Sequence, residues 1–237
     1  MAKLRVHNIE SGPASSDVAF GISGDTIAVS SDSIQNNVWK DSGGNTLFQS
    51  DGSGTMSNVN AGLTGGGPQL ISSQTASGAA SVSFTTGIDS TYDLYMFVCL
   101  DCNPATDTPT FTFQSGSGYN TTMTTTAYRA WKFESGDSDM NFDTGAAQAQ
   151  GTNYQQLCED VGNGADECCA GEIFLFNPSS TTYLKSFYST FNSYQYEDRS
   201  YNHYVAGYFN TTSAITQVQF KFSSGNFDGK IKMYGIA

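Results

Sequence analysis

Thr216-Gln217-Val218-Gln219-Phe220-Lys221-Phe222 alternates polar and apolar residues without a break. In an extended chain successive side chains point to opposite faces. Val218, Phe220 and Phe222 therefore face one side, and Gln217, Gln219 and Lys221 the other. The stretch predicts a strand with one face in a core and one in water. Lys230, Lys232 and Tyr234 alternate in the same way with Ile231, Met233 and Gly235. Ser223-Ser224-Gly225-Asn226-Phe227-Asp228, between the two, predicts a hairpin loop.

Further strands are expected upstream, at residues 69–74, 80–85, 91–100, 110–114, 119–133, 172–176, 181–191 and 203–210. Leu94-Tyr95-Met96-Phe97-Val98-Cys99 is apolar throughout, the pattern of a strand covered on both faces. Residues 134–170 are polar and Gly-rich, as in Gly145-Ala146-Ala147-Gln148-Ala149-Gln150, and predict a long excursion or one short helix. No long window carries a helical period. The expected fold is all-β: an antiparallel β-sandwich, jelly-roll-like, preceded by an extended N-terminal arm.

The boundary between arm and sandwich is expected at Gly65-Gly66-Gly67-Pro68, giving an assembly arm over 1–68 and a sandwich over 69–237. The arm holds short strand candidates at 4–9, 18–22, 26–29 and 46–49. Between them lie turn clusters such as Asp41-Ser42-Gly43-Gly44-Asn45 and Asp51-Gly52-Ser53-Gly54. A flexible linker is one reading. Phe20, Ile27, Ile34, Trp39 and Phe48 favour the other, a segment that orders by docking, because a pure linker has no use for them.

The 237 residues are 38% hydrophobic and only 14% charged, and 13% are aromatic, so rings supply much of the available core. The net charge of −12 repels phosphate backbones and anionic lipid, which argues against nucleic-acid or membrane partners. No apolar stretch approaches the roughly 20 residues that span a bilayer. The N-terminus does not read as a secretory signal. Synthesis in a cytosol is expected.

Candidate chemistry is sparse. The histidines are His7 and His203. A triad would use His203 with Asp198 or Glu197, but no Gly-x-Ser-x-Gly marks a nucleophile. His203 is read instead as an exposed or partly packed residue at a strand end. Cys99-Leu100-Asp101-Cys102 has metal-type spacing, yet adjacent Cys168-Cys169 would chelate poorly. A disulfide between the 99–102 region and the 158–169 loop, which includes Cys158, and reduced thiols remain the alternatives. Acidic residues cluster at Asp137, Asp139, Asp143, Glu159, Asp160, Asp166 and Glu167. Asp137-x-Asp139 could hold calcium and the set could form a glycosidase pair, but a solvated loop fits better. No catalytic residue, metal or cofactor is expected. Tyr194, Tyr196, Tyr201 and Tyr204, with Tyr208, form the densest aromatic group. They suit a recognition surface for sugar or protein, or equally plain strand structure.

Two stretches carry a resemblance. Leu70-Ile71-Ser72-Ser73-Gln74-Thr75 with Ser81-Val82-Ser83-Phe84-Thr85-Thr86-Gly87-Ile88-Asp89-Ser90-Thr91-Tyr92-Asp93 is one. Ile215-Thr216-Gln217-Val218-Gln219-Phe220 with Ser224-Gly225-Asn226-Phe227-Asp228-Gly229-Lys230-Ile231-Lys232-Met233-Tyr234-Gly235-Ile236 is the other. Both resemble virion proteins of tailed bacteriophages, especially marine and cyanobacterial ones, in which such modules occur in capsid-decorating and tail-fibre-like proteins. The resemblance implies a structural virion protein assembled in the host cytoplasm. It would be homo-oligomeric, expected as a trimer, with its arm anchored to capsid or tail subunits and its sandwich displayed. A tail-fibre module that binds a host surface glycan or receptor is the alternative. A polysaccharide-degrading enzyme is a more distant one.

Overall fold

The computed structural model describes residues 38–41, 43–50, 56–57, 59–60 and 67–236. The arm strands expected at 4–9, 18–22 and 26–29 lie outside these residues. The chain divides into two units, Met1–Asn60 and Ala61–Ala237.

In the first unit, β1 (Val38–Lys40), β2 (Thr46–Ser50) and β3 (Met56–Ser57) form an antiparallel sheet in that order. The turn cluster at 41–45 joins β1 to β2. Asp41 Oδ1 accepts hydrogen bonds from the Gly43 and Asn45 amides, both at 2.9 Å, a side-chain mimic of a backbone turn. Gly44 follows with φ 82°, a conformation that glycine adopts without strain. Trp39 and Phe48 face each other across the pair, rings stacked at 4.6 Å.

The second unit is an antiparallel β-sandwich, and no helix occurs among the described residues. The larger sheet has eight strands in the order β4 (Gln69–Ala79), β15 (Phe227–Ile236), β6 (Leu94–Pro104), β11 (Cys169–Phe176), β12 (Lys185–Gln195), β13 (Arg199–Phe209), β8 (Met123–Phe133), β9 (Ser138–Phe142). The smaller has four: β10 (Gln155–Cys158), β7 (Phe111–Ser115), β14 (Val218–Phe222), β5 (Val82–Phe84). The alternation in β14 falls as expected: Val218, Phe220 and Phe222 are buried and Gln217, Gln219 and Lys221 are half-buried. Phe220 sits between the sheets, its ring 5.5–6.3 Å from those of Phe84, Phe97, Phe111 and Phe113. Aromatic packing of this kind offsets the modest aliphatic content.

Three expectations are corrected. The loop at 223–228 is not a hairpin: β14 belongs to the small sheet and β15 to the large one, so the chain crosses between the sheets there. Residues 134–170 hold no helix but two short strands, β9 and β10, and the start of β11. Their polar composition reflects amide networks in place of apolar packing. Buried Gln155 accepts from Thr125 Oγ1 at 2.8 Å and donates to the Ala146 carbonyl at 3.0 Å. Buried Gln114 donates to the carbonyls of Thr121, Thr152 and Asn153. Each group finds a partner, so burial costs little. The third correction concerns β6. Tyr95, Phe97 and Cys99 are buried in the core, but Leu94, Met96, Val98 and Leu100 on the other face are only half-buried. Its uniform apolarity therefore exceeds what the sandwich itself covers.

A bulge shapes the end of β6. Cys99 pairs with Gly171 and Cys102 with Cys169, so three steps on β6 oppose two on β11. Asp101, at φ 51°, takes up the extra residue. Both Cys99 and Cys102 consequently face inward.

Candidate functional site

The outer face of the eight-stranded sheet carries two aromatic rows set by register. Phe142, Tyr128 and Tyr204 are neighbours across β9, β8 and β13. Tyr188, Phe174, Met96 and Tyr234 are neighbours across β12, β11, β6 and β15. The Tyr128 and Tyr204 rings stack at 4.7 Å, and those of Phe174 and Tyr188 at 4.8 Å. Tyr128 is 47% exposed, Tyr188 42% and Phe142 57%. Between the rows, Tyr128, Tyr188 and Tyr204 line a shallow cleft of about 130 Å³, with Thr126 and Thr190 at its walls.

The predicted tyrosines divide between two faces. Tyr194 and Tyr204 occupy outward positions of β12 and β13, and Tyr196 lies exposed in the turn between those strands. The Tyr194 hydroxyl donates to Asp198 at 2.9 Å, and this bond pushes its pKa up to about 12. Glu197 raises that of Tyr196. Tyr201 is a correction. It is an odd number of residues from Tyr204, so the pleat turns it inward, where it is 2% exposed. It cannot share a surface with the other three. Of the arm residues, Trp39 and Phe48 form the stack in the first unit, and Phe20, Ile27 and Ile34 lie outside the described residues. Tyr128, Phe174 and Tyr188 were missed, although their outward parity is readable once each strand's inward residues are known.

Tyr201 belongs to a charge cluster at the edge where both sheets end. Arg129 on β8 stands directly opposite His203 on β13. Its Nη1 bonds Glu159, just after β10, and lies 3.5 Å from Asp143 Oδ2, just after β9. Its Nε donates to Asn141 Oδ1 at 3.1 Å. The Tyr201 hydroxyl donates to Glu159 as well. Asp143 Oδ1 accepts from the Gly145 and Ala146 amides, and Gln156 donates to Glu159 Oε2 at 2.9 Å. Arg199 covers the Tyr201 ring at 4.9 Å. Burial acts to lower the Arg129 pKa, but the charges of Glu159, Tyr201 and Asp143 together hold it above the usual value. Burial raises that of Tyr201, reinforced by its bond to Glu159.

His203 is therefore not an exposed or partly packed strand-end residue. It lies within β13, is 0% exposed, and neither ring nitrogen has a hydrogen-bond partner. Burial pulls its pKa down to about 4, against the opposing effect of Glu159 and Asp143. The triad partners considered for it lie elsewhere: Asp198 bonds Tyr194, and Glu197 pairs with Arg199. Asp143, Glu159 and His203 instead form the one group of three potential ligands among the described residues whose ligand atoms all approach within 4.8 Å of one another.

Cys99, Cys102, Cys158 and Cys169 are buried free thiols and Cys168 is a half-buried one. Burial pushes the pKa values of Cys99 and Cys169 well up, and their proximity to Cys102 adds to it. Among the described residues the cysteines join no group of three whose ligand atoms converge. Asp139, on β9, accepts hydrogen bonds from the Met140 amide and from Asn141. No family model, curated protein or solved structure matches this chain.

Proposed function

We propose that this chain is a structural component of a tailed-phage virion, a non-enzymatic sandwich displayed on the particle and held by its N-terminal region. The observation that carries this is the outer face of the eight-stranded sheet. β6 has the uninterrupted apolar sequence of a strand covered twice, but the core covers it once, and Phe174, Tyr188, Tyr128 and Tyr204 extend that apolar surface across four further strands. On a chain of net charge −12, an outer face carrying this many rings fits a subunit contact. The acidic remainder of the surface keeps a dense array soluble. The phage assignment itself rests on the resemblance of residues 70–93 and 215–236. An electron cryomicroscopy map of purified particles tests it. Density for the sandwich outside the shell or along the tail is expected, and particles lacking the chain would refute the assignment.

The cleft between Tyr128, Tyr188 and Tyr204 favours a second role, the gripping of a host surface glycan by ring stacking, with Thr126 and Thr190 as polar partners. Binding on a glycan array, abolished by Tyr204→Ala and Tyr188→Ala, would favour this role over a purely structural one.

A further inference from the structure

We propose that Asp143, Glu159 and His203 bind one divalent transition-metal ion, zinc by preference, which clamps the two sheets together. Three independent features converge. The ligand atoms lie within 4.8 Å of one another. Ligands on a tetrahedral zinc stand roughly 3.4 Å apart, from bonds of about 2.0–2.2 Å, so side-chain movement on the order of 1 Å closes the set. The imidazole is fully buried, faces the two carboxylates, and has both nitrogens unpartnered. A buried polar group of that kind calls for a partner, and a neutral imidazole is a preferred ligand of zinc. The carboxylates are also already oriented by neighbouring groups. The Gly145 and Ala146 amides hold Asp143, while Gln156 and Tyr201 hold Glu159, an arrangement of the kind that fixes ligands in metal sites.

The donor set selects the ion. One imidazole and two carboxylates suit zinc or a neighbouring transition metal, whereas calcium takes six to eight oxygens. The Arg129 guanidinium opposes binding, since it carries like charge and shares both carboxylates. With neutral His203 the group's formal charge is still −1, which accepts a divalent cation. The Arg129 side chain is 29% exposed, so it can lean toward solvent while keeping its bond to Asn141.

The location gives the ion a structural role. His203 and Asp143 belong to strands of the large sheet or the loop leaving it, and Glu159 follows β10 of the small sheet. β9 and β10 are the terminal strands of their sheets, so one ion would bind the two layers at their open edge.

The test uses the full chain, stripped with a chelator and titrated calorimetrically with zinc chloride, then with cobalt(II) followed by absorption. One equivalent should bind, the melting temperature should rise with zinc, and the cobalt spectrum should lack a thiolate charge-transfer band, which separates this site from the five cysteines. Asp143→Asn and His203→Phe each remove a ligand and should weaken binding by about 100-fold or more, since losing an outer-shell partner alone costs roughly 10–100-fold. Arg129→Met should keep the stoichiometry and tighten binding, a readout that does not require the ligand variants to fold. The proposal is overturned if neither the parent chain nor Arg129→Met binds a saturating equivalent. A thiolate band in the cobalt complex, or affinity unchanged in folded His203→Phe, would overturn it equally.

Discussion

Tyr128 and Tyr204 stand opposite each other on β8 and β13, with ring centroids 4.7 Å apart and planes 14° from parallel. Both lie on the outer face of the sheet, so their contact is not imposed by the core. Cross-strand aromatic pairs contribute about 0.5–1 kcal/mol beyond separate burial. A double-mutant cycle of Tyr128→Ala and Tyr204→Ala, read by urea unfolding, should return a coupling of that size. Full additivity would mean that the rings merely coincide in position.

Phe220 is the centre of the core and touches rings from both sheets. Phe220→Ala should lower stability by about 3–5 kcal/mol, because the four rings around it cannot collapse together to fill the void. Phe220→Leu should cost less than half as much. Equal losses in the two variants would mean that the packing is looser than the ring contacts indicate.

Gly171 lies in the interior of β11 for a steric reason. A Cβ there would fall 2.3 Å from the Thr190 carbonyl oxygen and 2.6 Å from the Phe191 ring. The first obstacle is backbone, so it cannot swing aside. Gly171→Ala should therefore destabilise by about 2 kcal/mol or more, contrary to the usual gain from replacing a strand glycine. A variant as stable as the parent would show that β11 and β12 can part there.

The strand pattern was legible because the alternation of β14 and β15 is nearly perfect and each buries a clean face. Residues 134–170 were not legible, because β9 and β10 are short and their neighbourhood is filled by Gln155 bonded to Thr125 and to backbone, and by Gln114 bonded to backbone. Such amides look like loop residues in a sequence and pack like core residues here. The tyrosine group was half legible. Its density was plain, but separating Tyr201 from Tyr194 and Tyr204 requires the strand register. The charge cluster was hidden altogether. Arg129, Asp143, Glu159 and His203 are far apart in sequence and meet only where the two sheets end.

His203 makes stability depend on pH. The groups facing it are Arg129 from β8, Asp143 after β9, Glu159 after β10, and Tyr201 from its own strand. Its pKa falls from 6.5 to about 4 on folding, through burial. Between those values the unfolded chain binds more protons than the folded one, so stability rises with pH across the window and is lost as pH drops below about 6.5. The upper bound is roughly 3 kcal/mol. Urea unfolding in the presence of a chelator should show this slope between pH 4 and 6.5, and His203→Phe should flatten it. An unchanged slope would assign the dependence to the carboxylates.

Analytical ultracentrifugation of the full chain at micromolar concentration tests the role of the outer face most directly. The parent should sediment as one closed homo-oligomer. Tyr188→Glu, which places a charge among exposed rings and leaves the core untouched, should yield a folded monomer. A parent chain that sediments as a monomer, with its apolar outer face still open to solvent, would contradict the assignment of that face to a contact between copies.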